Sequence, residues 1–260
     1  QGPGTVGSRL AHLRIEGGSG AEINGINYLA MFSIHDTGDI EINGLAMRRN
    51  HLFDDMLHVV YGRGVHITGI DIVGARADAI DIDISDVTLS GGTIDNAGND
   101  CIDMMTSTAA LVGLRLSHCG DKGVSVGEAS QLLIMNTVIE NSNIGIESKD
   151  GSATQILNAD FKNNVVQINA KKKNWRYGTG GRVDVRKSHL TSTKNILNAD
   201  KDSSIVVRDS TMVAGARAGK RVTIDEDVDF SDVREARSTG YGDGLLVTPD
   251  PARAWTGFSD

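Results

Sequence analysis

The sequence predicts an all-β fold, a right-handed parallel β-helix of ~22-residue coils with three short strands per coil. Three observations predict it. First, from residue 65 to about 170 apolar residues recur every 22 positions. Ile80, Ile102, Val124, Ile146 and Ile168 form one series, Ile72, Ile94, Leu116 and Val138 a second, and Ile67, Leu89, Leu111 and Leu133 a third. Second, small or polar residues alternate with these positions, and Gly, Asn and Asp gather between them, the pattern of short strands joined by turns. Third, the 3 prolines of the 260-residue chain stand at positions 3, 249 and 251, so every residue between them keeps its backbone donor. A leucine-rich repeat would carry more leucine and a fixed Asn, and stacked helix pairs would lack the period-2 alternation.

Taken in order, residues 10–64 repeat less cleanly, and His35-Asp36-Thr37-Gly38 and Gly62-Arg63-Gly64 read as turns between early coils. The regular coils follow. Asn99, Asp121 and Asn143 recur in phase and fit a polar ladder stacked inside a turn. The phase is lost at Lys171-Lys172-Lys173-Asn174-Trp175, and strand-like pieces return near 182–190 and 203–213. From 218 the chain is charged and holds two of the prolines. The expected organisation is therefore a β-helix over 1–217 and a C-terminal cap or trailing segment over 218–260, since open solenoid ends need cover.

Composition narrows the partners. With 26 basic and 34 acidic residues the net charge is -8, which argues against a nucleic-acid binder. The acids are 26 Asp against 8 Glu. No apolar run approaches the ~18 residues of a membrane span. Cys101 and Cys119 are too few for a disulfide framework, and they fall at different phases of adjacent coils. They are expected as two half-buried thiols, which leave the compartment open. The start, Gln1-Gly-Pro-Gly, reads as that of a mature fragment. Nothing in the sequence fixes the oligomeric state.

Because coils stack at ~4.8 Å, residues 22 apart are vertical neighbours. Beside the inward Ile80-to-Ile168 series runs an outward column of Asp81, Asp103, Ser125, Glu147 and Asn169. Two residues on comes Asp83, Met105, Gly127, Lys149 and Lys171, and at the preceding turn Asp78, Asp100, Lys122 and Ile144. One face thus carries acids in its early coils and lysines in its later ones. Asp78 with Asp100, and Asp81 with Asp103, sit one strand spacing apart, close enough to raise each other's pKa or to require a cation. With no His or Cys in phase, this oxygen-only set suits Ca²⁺. Beyond the last regular coil, Lys171, Lys172, Lys173, Trp175 and Tyr177 combine cations with aromatic planes fit for an anionic sugar chain. His118 is expected on a surface turn. No nucleophile elbow or phosphate loop is present.

Four strings carry a resemblance. Asp78-Ala79-Ile80-Asp81, Gly98-Asn99-Asp100-Cys101-Ile102-Asp103, Cys119-Gly120-Asp121-Lys122-Gly123-Val124-Ser125-Val126-Gly127 and Gly145-Ile146-Glu147-Ser148-Lys149 resemble signatures of polygalacturonase-type glycoside hydrolases. Those signatures are N-T-D, G-D-D-C, G-H-G followed by S-I-G, and R-I-K, and order and spacing agree over residues 75–150. The resemblance implies a β-helix of the pectin-lyase-like superfamily acting on polysaccharide. Asp78 falls on the N-T-D aspartate, Asp100 on the second aspartate of G-D-D, and Lys149 on the lysine of R-I-K. Asn99 stands where that family has its general acid, Lys122 where it has His, and Glu147 where it has Arg. An amide cannot protonate a leaving oxygen, so hydrolysis by that acid is put in doubt. The acid-and-lysine face is also similar in kind to calcium-and-lysine polysaccharide lyases. It lacks the D-P-H-D string of alginate-type C5 epimerases. More weakly, Gly120–Gly123, Ser125–Glu128 and Ser148–Asp150 resemble strings of bacterial surface β-helix proteins.

The leading expectation is an extracytoplasmic enzyme that cleaves a uronic-acid-containing polysaccharide by β-elimination. Asp78, Asp81, Asp100 and Asp103 would gather Ca²⁺, and Lys122, its pKa lowered, would be the base. Asp100, Asp78 and Lys149 complete the expected catalytic set, and Asn99, Glu147, Lys171, Lys173, Trp175 and Tyr177 the substrate-binding one. A hydrolase using Asp78 with Asp100, or Asp100 with Asp103, is the second expectation. A non-catalytic β-helix for surface polysaccharide is the third.

Overall fold

The computed structural model describes residues 1–191, 196–214 and 217–231. Nearly every strand among them joins one continuous sheet of parallel pairs, with a separate antiparallel pair at Ala21–Ile23 and Ile26–Tyr28. Two 19-residue strands, Ala30–Arg48 and Asp55–Val73, lie side by side near the N-terminal end. Above them each coil breaks into shorter strands, beginning with Ile80–Asp83 and Asp86–Ala97 on Asp55–Val73. His35–Gly38 and Gly62–Gly64, expected as turns, lie inside the long strands, where Asp36 (φ 49°) and Gly64 (φ 62°) bend the chain without ending the pairing.

The corners explain how so short a coil closes. Left-handed backbone recurs at matching phase in Tyr61, Ile84, Thr106, Glu128 and Asp150, and in Gly69, Gly91, Gly113, Asn136 and Asn158. A third set comprises Gly74, Asn96, His118, Asn141 and Asn163. Three such corners per coil fold the strands around a dry interior, and Gly and Asn hold many of them because both tolerate positive φ. His118 is accordingly an exposed corner residue, bonded to Asp95.

The interior is one hydrophobic stack that includes Ile80, Ile102, Val124, Ile146 and Ile168, all fully buried. The other two columns slip by one residue. Leu111 pairs with Ile134 and Leu116 with Ile139, not with Leu133 and Val138. Glu128 and Ala129 are both left-handed and put an extra residue into that corner. The ladder inside a turn is made of serine: the amides of Ser85, Ser107 and Ser130 donate to the hydroxyls of Ser107, Ser130 and Ser152 at 3.0–3.1 Å. Asn99 and Asn143 lie outside instead, exposed.

Cys101 and Cys119 form a disulfide, with Cα atoms 5.3 Å apart, correcting the expectation of two thiols. Cys119 lies directly above Ala97, only a turn away from Cys101, so the bridge joins the start and end of one coil. After Lys171 the coil lengthens to 29 residues, seen in the pairing of Ala153 with Arg182, and then returns to 22 with Arg182 on Ser204. Parallel pairing continues past 218, through Val222–Ile224 and Asp229–Ser231, where a cap was expected. The remainder of that expected segment lies outside the described residues.

Candidate functional site

The outward column expected from the spacing is present: Asp81, Asp103, Ser125, Glu147 and Asn169 are consecutive Cα partners. The structure extends it downward, because Asp81 also pairs with His58 and His58 with Ser33. Asp83, Met105 and Gly127 form the neighbouring column, and Lys149 pairs with Lys171 above it. His58 therefore sits in phase with the acids, against the expectation that no histidine does. The step from His58 to Asp81 is 23 residues, which hides it from a search at 22.

The early coils gather unneutralised acid. Asp55, His58 and Asp81 each place one ligand atom within 4.8 Å of the others. His58 Nε2 lies 3.5 Å from Asp81 Oδ2 and 3.1 Å from Asp83 Oδ2. The His58 ring meets His35 edge-on at 5.3 Å, and His35 stacks on Tyr28 at 4.9 Å. Burial pushes the Asp55 carboxyl up to about 8, helped by the charges of Asp81 and Asp78. Asp81 also rises to about 8, through burial and then the charges of Asp83, Asp103 and Asp78. Burial lowers His35 below the usual imidazole range, and His58 adds to the effect.

Asp78 and Asp100 are engaged by the solenoid itself. Asp78 Oδ1 accepts the Asp100 N–H at 2.7 Å and the Asn99 side-chain amide at 2.8 Å. Asp100 Oδ1 accepts the Lys122 N–H at 2.9 Å, and the Lys122 ammonium stands 3.4 Å away. Burial raises both carboxyls, that of Asp100 to about 7 despite the opposing Lys122 charge. Asn99 thus orders a turn carboxylate, and Asp100 is 2% exposed. Lys122 contradicts the role of low-pKa base. Burial pulls its pKa down, but the Asp121 hydrogen bond and the charges of Asp100, Asp121 and Glu147 outweigh it and hold the ammonium above the ordinary lysine range.

These contacts bear on the fit of calcium. Asp78 and Asp100 hold backbone amides, and Asp103 Oδ1 accepts the Met104 N–H at 2.9 Å. Among the described residues, no three of the four aspartates bring ligand oxygens within 4.8 Å of one another, whereas calcium takes 6–8 oxygen ligands. The group that does converge contains an imidazole.

In the later coils the acid of the outward column is answered. Glu147, 2% exposed, accepts Lys171 at 2.9 Å and Asn169 at 2.7 Å. Lys149 hydrogen-bonds Ser125 Oγ at 2.8 Å and makes no ion pair among the described residues. The 171–181 insertion is tied down through its backbone: Asp150 Oδ1 accepts the amides of Lys173 and Asn174, both at 2.7 Å. The Tyr177 ring packs over Gly151, while Trp175 stands 84% exposed. The structure thus brings together Asp81, Asp103, Lys149, Glu147 and Lys171 on one face. Trp175 and Tyr177 belong to the insertion beside it. Asp55, His58 and Asp83, which the sequence reading did not single out as site residues, belong to its acidic end.

The family described as "Right handed beta helix region" matches residues 30–175. No curated protein matches the chain. Among solved structures, pectate lyase Pel9A is similar over 89% of this chain and 71% of its own, with a TM-score of 0.42 and 12% identity. The A-module of Azotobacter vinelandii mannuronan C-5 epimerase AlgE4 is similar over 88% of this chain and 82% of its own, with a TM-score of 0.31 and 11% identity.

Proposed function

The chain belongs to the right handed beta helix family, and on that footing we propose that it cleaves an acidic polysaccharide by β-elimination, on the face that carries Asp103 and Lys149. The observation that carries the reading is an acid and a cation flanking one buried serine. Asp103 is the Cα partner of Ser125, whose hydroxyl receives Lys149 Nζ at 2.8 Å. With no carboxylate of its own, Lys149 is set to take one from the substrate.

A uronate carboxylate on Lys149 acquires negative charge as the C5 proton leaves, and the ammonium stabilises that charge. Asp103 accepts the proton through Oδ2, which has no partner among the described residues. The released electron pair forms the C4–C5 double bond, the C4–O4 bond breaks, and the leaving oxygen takes a proton from water. Lys171, beside Glu147, and the exposed Trp175 extend the binding surface. Lys122 remains protonated and positions Asp100 and Asp121. The Cys101–Cys119 bridge supports an oxidising compartment outside the cytoplasm.

Incubation with polyuronates is expected to generate the ultraviolet absorbance of unsaturated uronyl ends. New reducing ends without unsaturation would replace elimination by hydrolysis. Binding to acidic glycans without any cleavage would assign the face to a non-catalytic role and remove the enzyme reading.

A further inference from the structure

We propose that Asp55, His58 and Asp81 bind one divalent transition-metal ion of the zinc and manganese class. The inference does not rest on the cleavage proposed above. It starts from the buried acids. Asp55, Asp100, Glu147, Asp150 and Asp160 are each 1–6% exposed. Asp100 holds the Lys122 amide, Glu147 holds Lys171 and Asn169, Asp150 holds two loop amides, and Asp160 holds Lys162 and His189. The Asp55 carboxyl alone among them has no hydrogen bond or ion pair among the described residues. An isolated buried carboxylate is expensive unless a cation or a proton neutralises it.

What Asp55 faces chooses between these. His58 and Asp81 each place a ligand atom within 4.8 Å of it. The His58 side chain is 9% exposed, and its Nδ1 is buried without a partner. The buried, unpaired Asp55 carboxyl thus faces a buried imidazole and a second carboxyl. Metal–ligand bonds of ~2.0–2.1 Å give tetrahedral ligand–ligand edges of roughly 3.3 Å. The 3.5 Å between His58 Nε2 and Asp81 Oδ2 is close to such an edge, and Asp83, 3.1 Å from the same nitrogen, is placed to join the set.

The donor set names the class of ion. One imidazole and two carboxylates suit zinc, manganese and cobalt, whereas calcium takes oxygen ligands in larger number. Two carboxylates cancel the charge of a divalent ion. Three protein ligands leave a coordination position for solvent or another ligand, as in catalytic zinc sites.

The test uses the full chain stripped with chelator and titrated with Co²⁺, then Zn²⁺ and Ca²⁺. One equivalent of Co²⁺ is expected to give visible ligand-field bands that Zn²⁺ abolishes and a hundredfold excess of Ca²⁺ leaves in place. Asp55→Asn and His58→Gln should each weaken Co²⁺ binding by on the order of 10–100-fold, with His118→Gln as the unaffected control. Asp55→Asn keeps the side-chain shape, so it remains readable where His58→Gln does not fold. Absent bands, full-affinity binding by folded Asp55→Asn, or displacement by equimolar Ca²⁺ would each overturn the site. A silent titration would mean that a proton neutralises Asp55.

Discussion

The early and late coils of one sheet face share backbone, register and strand spacing, yet treat charge in opposite ways. Across His58, Asp81 and Asp103 the acids crowd together, and two carboxyls, those of buried Asp55 and half-buried Asp81, are pushed up to about 8. Across Glu147 and Asn169 the one acid is closed by a lysine and an amide. The solenoid fixes where each column lies and leaves its charge free. A site therefore arises where side chains decline the neutral solution their neighbours adopt.

The hardest blow to this contrast falls at its midpoint. Asp103→Asn should lower the rate of elimination by about 10²–10⁴-fold, as expected for loss of a general base, with folding unchanged by circular dichroism. Retained activity would move the chemistry elsewhere. Next comes the titration of Asp100, buried in the acidic half. Its carboxyl rises from 3.8 to about 7, so between those values the folded chain holds a proton that the unfolded chain has released. Stability is then expected to fall as pH climbs through this window, by up to about 4 kcal/mol, and Asp100→Asn should flatten the slope.

Single substitutions on the two halves should have opposite signs. Lys171→Met leaves Glu147 buried with only Asn169 and should cost ~2 kcal/mol, discounted for the partial exposure of the lysine. Asp55→Asn in chelator-treated protein should be neutral or stabilising by ~1 kcal/mol. Thermal unfolding of both variants reads the difference, and equal losses would erase the distinction between the halves.

The smallest effect lies off this face, at His189 and Asp160. The Asp160 hydrogen bond raises His189 against the opposing effect of its partial burial. That contribution is complete below 6.5 and fades as pH rises through the raised value. Burial pushes Asp160 up, but its bonds to His189 and Lys162 outweigh this and hold it below 3.8, so its share appears above 3.8 and is lost as pH falls through the lowered value. His189→Gln should remove a few tenths of a kcal/mol near pH 6 and nothing measurable at pH 9, the ring being half exposed. An equal loss at both pH values would point to packing instead.

How far the sequence revealed this follows from the same geometry. Vertical neighbours repeat at 22, so the inward isoleucine column and the outward Asp81-to-Asn169 column were both legible. Departures from 22 were not. A single added residue conceals His58 beneath Asp81, and another at Glu128 and Ala129 exchanges Leu133 for Ile134 in the core column. Contacts at a turn escape any vertical search, which is why the bridge between Cys101 and Cys119 was not foreseen. The spacing of 22 did place Lys122 above Asp100, but spacing gives only proximity: the hydrogen bond to Asp121 and the surrounding charges, which outweigh burial, decide the proton.

That bridge has a mechanical meaning. By joining residues 18 apart within a single coil, it turns one rung into a covalent hoop. Coils peeled away by tension at either end would unwind one after another until the hoop was reached. There the force would pass through the sulfurs, and roughly 60 Å of contour, at ~3.4 Å per residue, would stay out of the extension. The hoop encloses Asp103 and its neighbours on the strand Ile102–Met105. Asp103, the acid assigned to proton abstraction, thus lies in the part that a pulled solenoid would surrender last, while Lys149 lies outside the hoop.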